Sequence, residues 1–203
     1  MNIALDSKFK PKEAYAEKPR TELIDGKILK MASPRTEHGD VSGRILRSFF
    51  EYFEDKECRV FFEQDIHLDD RNIFKPDIAV ICDLSILRDG KILGSPDLVV
   101  EVLSLSTQKN DRGRKKETYA RHGVREYWLV DIRNFTVEIY LPINSIFFLH
   151  ESYIILSKYE LETLTAEELK EFPLKFNSVI FDDMQLDLRD VFKYILQQDE
   201  RSD

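Results

Sequence analysis

The fold is decided by the stretch Asp97-Leu98-Val99-Val100-Glu101-Val102-Leu103, in which a carboxylate stands inside an apolar strand. Alternation along a strand puts Glu101 on one face with Val99 and Leu103, and the residues between them on the other face. Both faces are apolar, which is typical of a strand covered on both sides. A buried, ionised carboxylate is costly by several kcal/mol unless a cation, a metal or a hydrogen-bond network accompanies it.

A second acidic residue, Asp77, follows Pro76 and opens another apolar run, Ile78-Ala79-Val80-Ile81. Two acids at apolar strands, followed by a lysine-rich helix, indicate a divalent-metal site for phosphodiester chemistry, because metals polarise phosphate and activate water. Each acid also has a structural alternative. Asp77 could cap the start of its strand, and Glu101 could form a buried salt bridge, for example with Lys115.

Length and charge narrow the class of protein. The 203 residues suffice for one domain with a sizeable core, and no apolar run approaches the ~20 residues of a membrane span. The net charge of −8 argues against a general DNA-coating protein, although a nuclease depends only on the local field around its cleft. Seven basic and two acidic residues between positions 108 and 125 indicate either a nucleic-acid-binding helix or a solvated helix face.

The N-terminus and the cysteines predict a cytoplasmic protein without a membrane partner. Asp6 and Lys8 interrupt the short apolar start, so no signal-peptide core is present in the sequence. Cys58 and Cys82 lack metal-ligand spacing, and they are predicted to be reduced, buried thiols.

Local patterns predict one α/β domain over residues 21–203, preceded by an arm, residues 1–20, that is loosely packed or partly helical. A β-hairpin with Asp25-Gly26 as its turn is expected over residues 23–29. Apolar residues at four-residue spacing predict a helix over residues 36–56.

A parallel strand–helix–strand unit is predicted in the middle of the chain. It consists of strands at residues 98–104 and 126–131 joined by a helix over 107–122. The remaining predictions are strands within 57–68 and at 74–82, 136–140 and 153–156, and a helix at 191–196.

The motifs on these elements carry a specific resemblance. They are Pro76-Asp77, residues 96–104, Ser106-Thr107, Asp111-Arg112-Gly113, Lys115, Tyr119 and Glu126-Tyr127-Trp128-Leu129-Val130-Asp131. In residue type and spacing they resemble the Uma2 family, which is classed with the restriction-endonuclease-like proteins of the PD-(D/E)XK nuclease fold. The resemblance covers residues 21–192, and it implies an α/β fold with a mixed central sheet flanked by helices.

The resemblance also implies a metal-dependent active site. Asp77 and Glu101 would be catalytic and would hold Mg²⁺ or Mn²⁺, with the backbone carbonyl of Val102 as a third ligand. Hard cations of this kind prefer such oxygen ligands. If the two carboxylates converge, their like charges should raise at least one pKa, that of Glu101 first.

Lys115 is implied as the third catalytic residue, in a departure from the general nuclease motif. The motif lysine should stand where this chain has Leu103, and in Uma2-like sequences it is placed on the following helix. Four residues share one face of that helix because they recur at four-residue spacing: Thr107, Asp111, Lys115 and Tyr119. Without the resemblance, Asp111 and Lys115 would be interpreted as a plain surface ion pair.

Three accessory residues complete the predicted site. His38 matches a position on the first helix that is often histidine in the family, although a lone histidine is more often structural. Gln64 lies where nuclease-fold proteins can place a polar cleft group, and Tyr119 follows from the shared helix face.

The function implied is a Mg²⁺-dependent endonuclease that hydrolyses DNA phosphodiester bonds by metal-activated water. The alternative is a catalytically silent nuclease-fold module that binds nucleic acid or protein. DNA is therefore the expected partner, and a homodimer is expected if both strands of a duplex are cut.

Overall fold

The computed structural model describes residues 20–199. The predicted arm, residues 1–20, falls outside this range except for Arg20, and the single-domain assignment stays a prediction. The strands are β1 (Thr21–Ile24), β2 (Lys27–Lys30), β3 (Arg59–Phe62), β4 (Ile66–Asp69), β5 (Asn72–Phe74), β6 (Ile78–Ile81), β7 (Leu87–Arg88), β8 (Lys91–Leu93), β9 (Leu98–Val102), β10 (Glu126–Asp131), β11 (Thr136–Ile143), β12 (Ile146–Ile154), β13 (Lys175–Asn177) and β14 (Gln185–Asp187).

The helices are α1 (Thr36–Phe53), α2, α3 (Lys158–Thr163), α4 (Leu188–Val191) and α5 (Lys193–Asp199). Helix α2 is built from Gln108–Asn110, a π-helical turn Asp111–Lys115 and Lys116–Arg121. The C-terminal helix predicted at 191–196 is therefore two helices, α4 and α5, separated at Phe192.

A six-stranded mixed sheet forms the centre of the fold, in the order β12-β11-β10-β9-β6-β3. Strands β9 and β10 are parallel, and the other neighbours in the sheet are antiparallel. The predicted parallel crossover is confirmed, with α2 between β9 and β10. Every residue of β9 is buried, as expected for a strand covered on both faces.

The predicted alternation along β9 is confirmed by its packing. Val100 and Val102 lie in the core that α1 covers. Val99 and Leu103 lie in the core on the other face, together with Tyr119 of α2. Burying each such side chain stabilises the fold by about 1.5–3 kcal/mol. A one-residue slip in register would exchange the two faces, so the packing fixes which face carries the carboxylate of this strand.

Helix α1 confirms the four-residue spacing read from the sequence. It buries Val41, Ile45, Phe49 and Phe53 against the central sheet. The Phe49 ring meets Trp128 of β10 edge-on, with 5.4 Å between the ring centroids. This geometry is favourable for aromatic pairs, and it anchors the helix that carries His38.

A second six-stranded sheet has the order β2-β1-β5-β4-β8-β7. Its first hairpin confirms the Asp25-Gly26 turn, because both residues have positive φ, 53° and 78°. The single strand predicted at 74–82 is wrong: β5 ends in this sheet and β6 begins in the central sheet. Pro76 has no N–H to donate to a neighbouring strand. Residues 75–77 therefore cross between the sheets, and Asp77 stands directly before the first residue of β6.

The hairpin of β11 and β12 is longer than predicted. Strand β12 begins at Ile146, so the strand predicted at 153–156 is only its end. The turn is formed by Asn144 and Ser145, with φ of 52° and 61°. No glycine marks this turn, which explains why the sequence pattern did not reveal it.

Cys58 and Cys82 form a disulfide, which overturns the prediction of reduced thiols. Pairing of β3 with β6 sets Arg59 opposite Ile81, so the flanking cysteines face each other with Cα atoms 4.0 Å apart. The cytoplasmic location stays a prediction that has lost this support, because disulfides persist mainly in oxidising compartments. Within the described part of the chain, no helix has both the length and the apolarity to cross a membrane.

Candidate active site

A cavity of about 530 Å³ opens where β9 and β10 end and β6 begins. Five of the predicted site residues line it: His38, Asp77, Glu101, Val102 and Lys115. Two do not. Tyr119 lies fully buried behind the wall, and Gln64 is exposed outside the cavity.

Asp77, the residue directly before β6, lies beside Glu101 of the neighbouring strand β9. The antiparallel register of β6 and β9 sets Ile78 opposite Val100, which puts the next pair, Asp77 and Glu101, together at the cavity. Asp77 Oδ2 accepts a hydrogen bond of 2.7 Å from the Val102 N–H. The main chain of β9 therefore fixes the Asp77 carboxylate beside Glu101.

His38 of α1 contacts Val102, which follows Glu101 in the chain, and Asp77, which lies beside it. Its Nε2 lies 2.9 Å from the Val102 carbonyl oxygen and 3.4 Å from Asp77 Oδ2. Because a carbonyl only accepts, Nε2 carries the proton and donates. Burial lowers the pKa of His38, but the hydrogen bond and the charge of Asp77 outweigh burial and raise it above its ordinary value.

Lys115 lies at the centre of a buried group of three carboxylates. We call these four residues the Lys115 cluster: Lys115, Glu22, Glu101 and Asp111. The Lys115 Nζ is 2.7 Å from Glu101 Oε1, 2.9 Å from Glu22 Oε1 and 3.3 Å from Asp111 Oδ1. The lysine side chain is only 1% exposed, so the interpretation of Asp111 and Lys115 as a surface ion pair does not hold.

Charges within the cluster shift the pKa values strongly. Burial lowers the pKa of Lys115, but the three carboxylates outweigh it and raise that pKa well above its ordinary value. Lys115 is therefore an ammonium and not a base. Burial raises the pKa of Glu101 well above the ordinary range, and Lys115 opposes the rise. The charge of Asp77 also raises it, in the predicted direction, although burial is the larger cause.

The geometry of α2 explains how the lysine reaches this position. The π-helical turn contains both Asp111 and Lys115, and both are buried there. Such turns are frequent at functional sites because they redirect side chains that a regular helix would place elsewhere. One turn later, the Tyr119 hydroxyl donates to Glu101 Oε1 at 3.2 Å. The predicted shared face of the helix is thus directed at Glu101.

Glu22 is a member of the cluster that the sequence analysis did not assign to the site. It lies on β1 and its side chain is 5% exposed. Besides Lys115, its Oε1 accepts a 2.8 Å hydrogen bond from the Lys75 N–H. The strand pattern could have indicated its burial. Glu22 shares a strand face with the fully buried Ile24, so alternation along β1 places its side chain inward.

The oxygen atoms of the site fit a hard divalent cation. Within residues 20–199, Asp77 Oδ1 and Glu101 Oε2 accept no hydrogen bond, since the contacts of these carboxylates run through Oδ2 and Oε1. In this part of the chain, only Asp111 Oδ1 is a fully buried side-chain nitrogen or oxygen atom without a hydrogen-bond partner. Asp77 Oδ1 and Glu101 Oε2 also lack a partner there, so they are not fully buried. Both free oxygens therefore reach the cavity. A cation such as Mg²⁺ commonly takes one or two carboxylates and keeps several waters.

The donor set is nevertheless small. Across residues 20–199, three or more His, Cys, Asp or Glu side chains are nowhere grouped so as to hold a metal ion. Here the candidate donors are two side chains and the Val102 carbonyl, which already accepts from His38. Water would have to supply the remaining ligands.

The basic residues between positions 108 and 125 divide between contacts within the protein and exposure to solvent. Arg112 pairs with Glu138 at 2.6 Å, and the Lys116 Nζ lies 3.9 Å above the centre of the Tyr140 ring. Lys115 is buried. Three of the seven basic residues in this segment are therefore engaged within the protein, and the other four are exposed: Lys109, Arg114, Arg121 and Arg125.

The mouth of the cavity carries different cations. Four basic residues besides Lys115 line it: Arg20, Arg35, Lys75 and Arg133. Arg20 pairs with Glu63 and Lys75 pairs with Asp65, both at 2.7 Å. Arg35 and Arg133 are exposed and have no ion pair within the described part of the chain.

A central mixed sheet with paired strand carboxylates at the cavity defines a restriction-endonuclease-like fold. In agreement, the chain matches the crystal structure of a "putative nuclease belonging to DUF820" from Anabaena variabilis with a TM-score of 0.64. The match covers 91% of this chain and 96% of that one at 19% identity, so it shows the fold.

The chain belongs to the Uma2 family, described as "putative restriction endonuclease", whose family model matches residues 10–169. It is also 29% identical over 128 residues to an uncharacterized protein, slr1290, of Synechocystis sp.. That match covers 61% of this chain and 67% of the relative. Family membership supports a nuclease-like function, and the predicted fold class is confirmed.

Proposed function

We propose that this chain is a Mg²⁺-dependent DNA endonuclease, in which Mn²⁺ can replace Mg²⁺. The observation that carries the proposal is the pairing of Asp77 and Glu101 in one cavity, each with a carboxylate oxygen that accepts no hydrogen bond within residues 20–199. These two residues and the Val102 carbonyl would hold the metal. When bound, a divalent cation supplies charge that polarises the phosphate and lowers the pKa of the attacking water.

Lys115 provides a positive charge beside the reacting phosphate. Its carboxylate neighbours keep it protonated, so it is suited to stabilising negative charge as that charge develops, and not to accepting a proton. His38 and Tyr119 act as positioning residues. The first holds the Val102 carbonyl and Asp77, and the second holds Glu101 by its hydroxyl. Gln64 has no part in this proposal because it lies outside the cavity.

DNA is the proposed substrate because the exposed cations lie at the mouth of the cavity. Arg35 and Arg133 line the cavity and would contact phosphates of the bound strand, since arginine binds phosphate through a planar fork of donors. The chain as a whole is acidic, with a net charge of −8, so these cations give the mouth a local positive field that would attract DNA. A homodimer remains our expectation, since cutting both strands takes two active sites, and sedimentation equilibrium would test it.

The second candidate function is a silent nuclease-fold module that binds nucleic acid or protein. Two observations favour it. Leu103 stands where the general motif has lysine, and it lines the cavity without offering an amine. Lys115 also forms an ion pair with Glu101, so its amine occupies an oxygen of a carboxylate that the metal would need as a ligand.

Cleavage of supercoiled plasmid DNA, with and without Mg²⁺, separates these functions. The wild-type chain should nick or linearise the plasmid only when Mg²⁺ or Mn²⁺ is present. Asp77→Asn and Glu101→Gln should abolish cleavage, whereas Glu37→Gln, at the same cavity, should retain it. Wild-type protein that binds DNA but cuts none with either metal would support the silent module instead.

A further inference from the structure

The Lys115 cluster places three carboxyl groups around one ammonium. Three carboxylates, those of Glu101, Glu22 and Asp111, lie within 3.3 Å of the Lys115 Nζ, and all four side chains are at most 5% exposed. One of these carboxylates, Glu101, is also a proposed metal ligand. A metal ion and the lysine amine therefore need the same carboxylate.

Asp111 offers the amine a second position. Its Oδ1 is the one buried side-chain nitrogen or oxygen atom within residues 20–199 that has no hydrogen-bond partner. It lies 3.3 Å from the Lys115 Nζ, in salt-bridge range but without a hydrogen bond, and Asp111 lines the cavity wall. An unsatisfied buried acceptor is costly, so a hydrogen bond from the amine to Asp111 Oδ1 would offset part of the loss when the amine gives up its contact with Glu101.

Glu22 offers the amine a position that is tied to the main chain. Its Oε1 accepts from the Lys115 amine at 2.9 Å and also from the Lys75 N–H at 2.8 Å. The second bond ties the carboxylate to the main chain between β5 and β6. Glu22 can therefore retain the amine while the amine changes its other partner.

We propose that Glu22 and Asp111 are positioning residues that hold the Lys115 ammonium when Glu101 is used as a metal ligand. The amine leaves Glu101 Oε1, keeps Glu22 and completes the missing hydrogen bond of Asp111 Oδ1. This inference rests on the proposed function, because it assumes that Glu101 binds the metal. Without the two holding carboxylates, Lys115 would stay on Glu101 and compete with the cation for it.

Metal affinity tests this role, because a purely structural role of the cluster would leave it unchanged in folded protein. We would titrate MnCl₂ into wild type, Glu22→Gln, Asp111→Asn and Glu37→Gln by isothermal titration calorimetry. Glu22→Gln and Asp111→Asn should each weaken the Kd for Mn²⁺ by about tenfold, the size of a lost charged hydrogen bond. Glu37→Gln makes the same charge change at the cavity without touching Lys115, and it should alter the Kd by less than about twofold.

The same measurement in a Lys115→Met background shows whether the effect passes through the lysine. There, Glu22→Gln should no longer weaken binding beyond the change seen for Glu37→Gln. Equal losses with and without Lys115, or equal losses for Glu22→Gln and Glu37→Gln, would overturn the inference and leave only a general electrostatic effect. If Lys115→Met does not fold, the comparison with Glu37→Gln decides the matter alone.

The outcomes separate this inference from the proposed function. Wild-type protein that binds Mn²⁺, with Glu22→Gln and Asp111→Asn binding it equally well, overturns the holding role and leaves the metal site intact. Wild-type protein that binds no Mn²⁺ overturns both.

Discussion

Replacing Lys115 by methionine tests the buried cluster most severely. The change keeps side-chain length and an apolar body, so the loss of packing is small. It removes the ammonium that faces three buried carboxylates at 2.7, 2.9 and 3.3 Å. Removing one partner of a buried ion pair typically costs about 3–5 kcal/mol, because the other charge is left uncompensated. We therefore expect Lys115→Met to lower the free energy of unfolding by about 3–5 kcal/mol.

Urea denaturation followed by circular dichroism measures this difference, with Lys116→Met as the matched control. The Lys116 amine lies above the Tyr140 ring, a contact worth about 0.5–1 kcal/mol at an exposed site. Under conditions where both variants are folded, Lys115→Met should also slow Mg²⁺-dependent cleavage by ~10²–10³-fold. Equal free energies of unfolding for the two variants would refute the reasoning, since they would mean that the buried carboxylates do not need the ammonium.

The destabilisation by Lys115→Met should depend on pH with a defined sign. Burial already raises the pKa of Glu101 above its model-compound value of 4.5, and loss of the lysine removes the charge that opposes this rise. A carboxyl group whose pKa is raised on folding binds its proton more tightly in the folded state. The contribution of Glu101 to stability therefore increases as pH falls toward 4.5, and the deficit of the variant should shrink between pH 7 and pH 5. A constant deficit across this range would contradict the assignment.

Three further predictions follow from other parts of the molecule. Arg35→Ala and Arg133→Ala should each weaken DNA binding and reduce the slope of log K against log salt by about 1, as measured by fluorescence anisotropy, because each removes one phosphate contact. Glu126→Gln should lower the free energy of unfolding by about 1–3 kcal/mol in urea without changing cleavage, because this fully buried carboxylate accepts hydrogen bonds from the Ser178 hydroxyl and two backbone N–H groups. Reducing the Cys58–Cys82 disulfide should lower the free energy of unfolding by about 2–4 kcal/mol, measured in urea with and without dithiothreitol.

Each of these predictions has a control and a contradicting result. Arg125→Ala should leave the slope of log K against log salt unchanged, since Arg125 pairs with Asp97 outside the cavity. An equal change of this slope for Arg125→Ala and Arg35→Ala would argue against phosphate contacts at the mouth. A Glu126→Gln variant as stable as wild type would mean that the carboxylate is not needed as an acceptor. Identical urea curves with and without reductant would mean that the cysteines are not joined in solution.

The central strand and its carboxylate could be predicted because they depend on local pattern. An apolar run interrupted by a single acid requires a strand covered on both faces, and alternation alone gives the face of Glu101. The parallel crossover follows from the short helix between two apolar strands. The role of Lys115 was predicted from the family resemblance and not from local pattern. Spacing along a helix gives the residues that share a face, but it does not show which other element that face contacts.

The missed features are those that depend on tertiary contacts. Glu22 and Lys115 are far apart in the sequence, and only the packing of β1 against α2 brings them within 2.9 Å. The disulfide depends on the register of β3 with β6, which no local pattern specifies. The division into two sheets at Pro76 was hidden because apolar residues stand on both sides of the proline.

A crystal structure of the protein soaked in MnCl₂ tests the central claim most directly, because anomalous scattering locates Mn²⁺ without assumptions about activity. We predict one strong anomalous peak in the cavity, within about 2.0–2.6 Å of an oxygen of Asp77 and an oxygen of Glu101. The Lys115 amine should then lie on Glu22 and Asp111, away from Glu101. A peak elsewhere, or a cavity without Mn²⁺ in which Lys115 still contacts Glu101 at millimolar metal, would contradict the account.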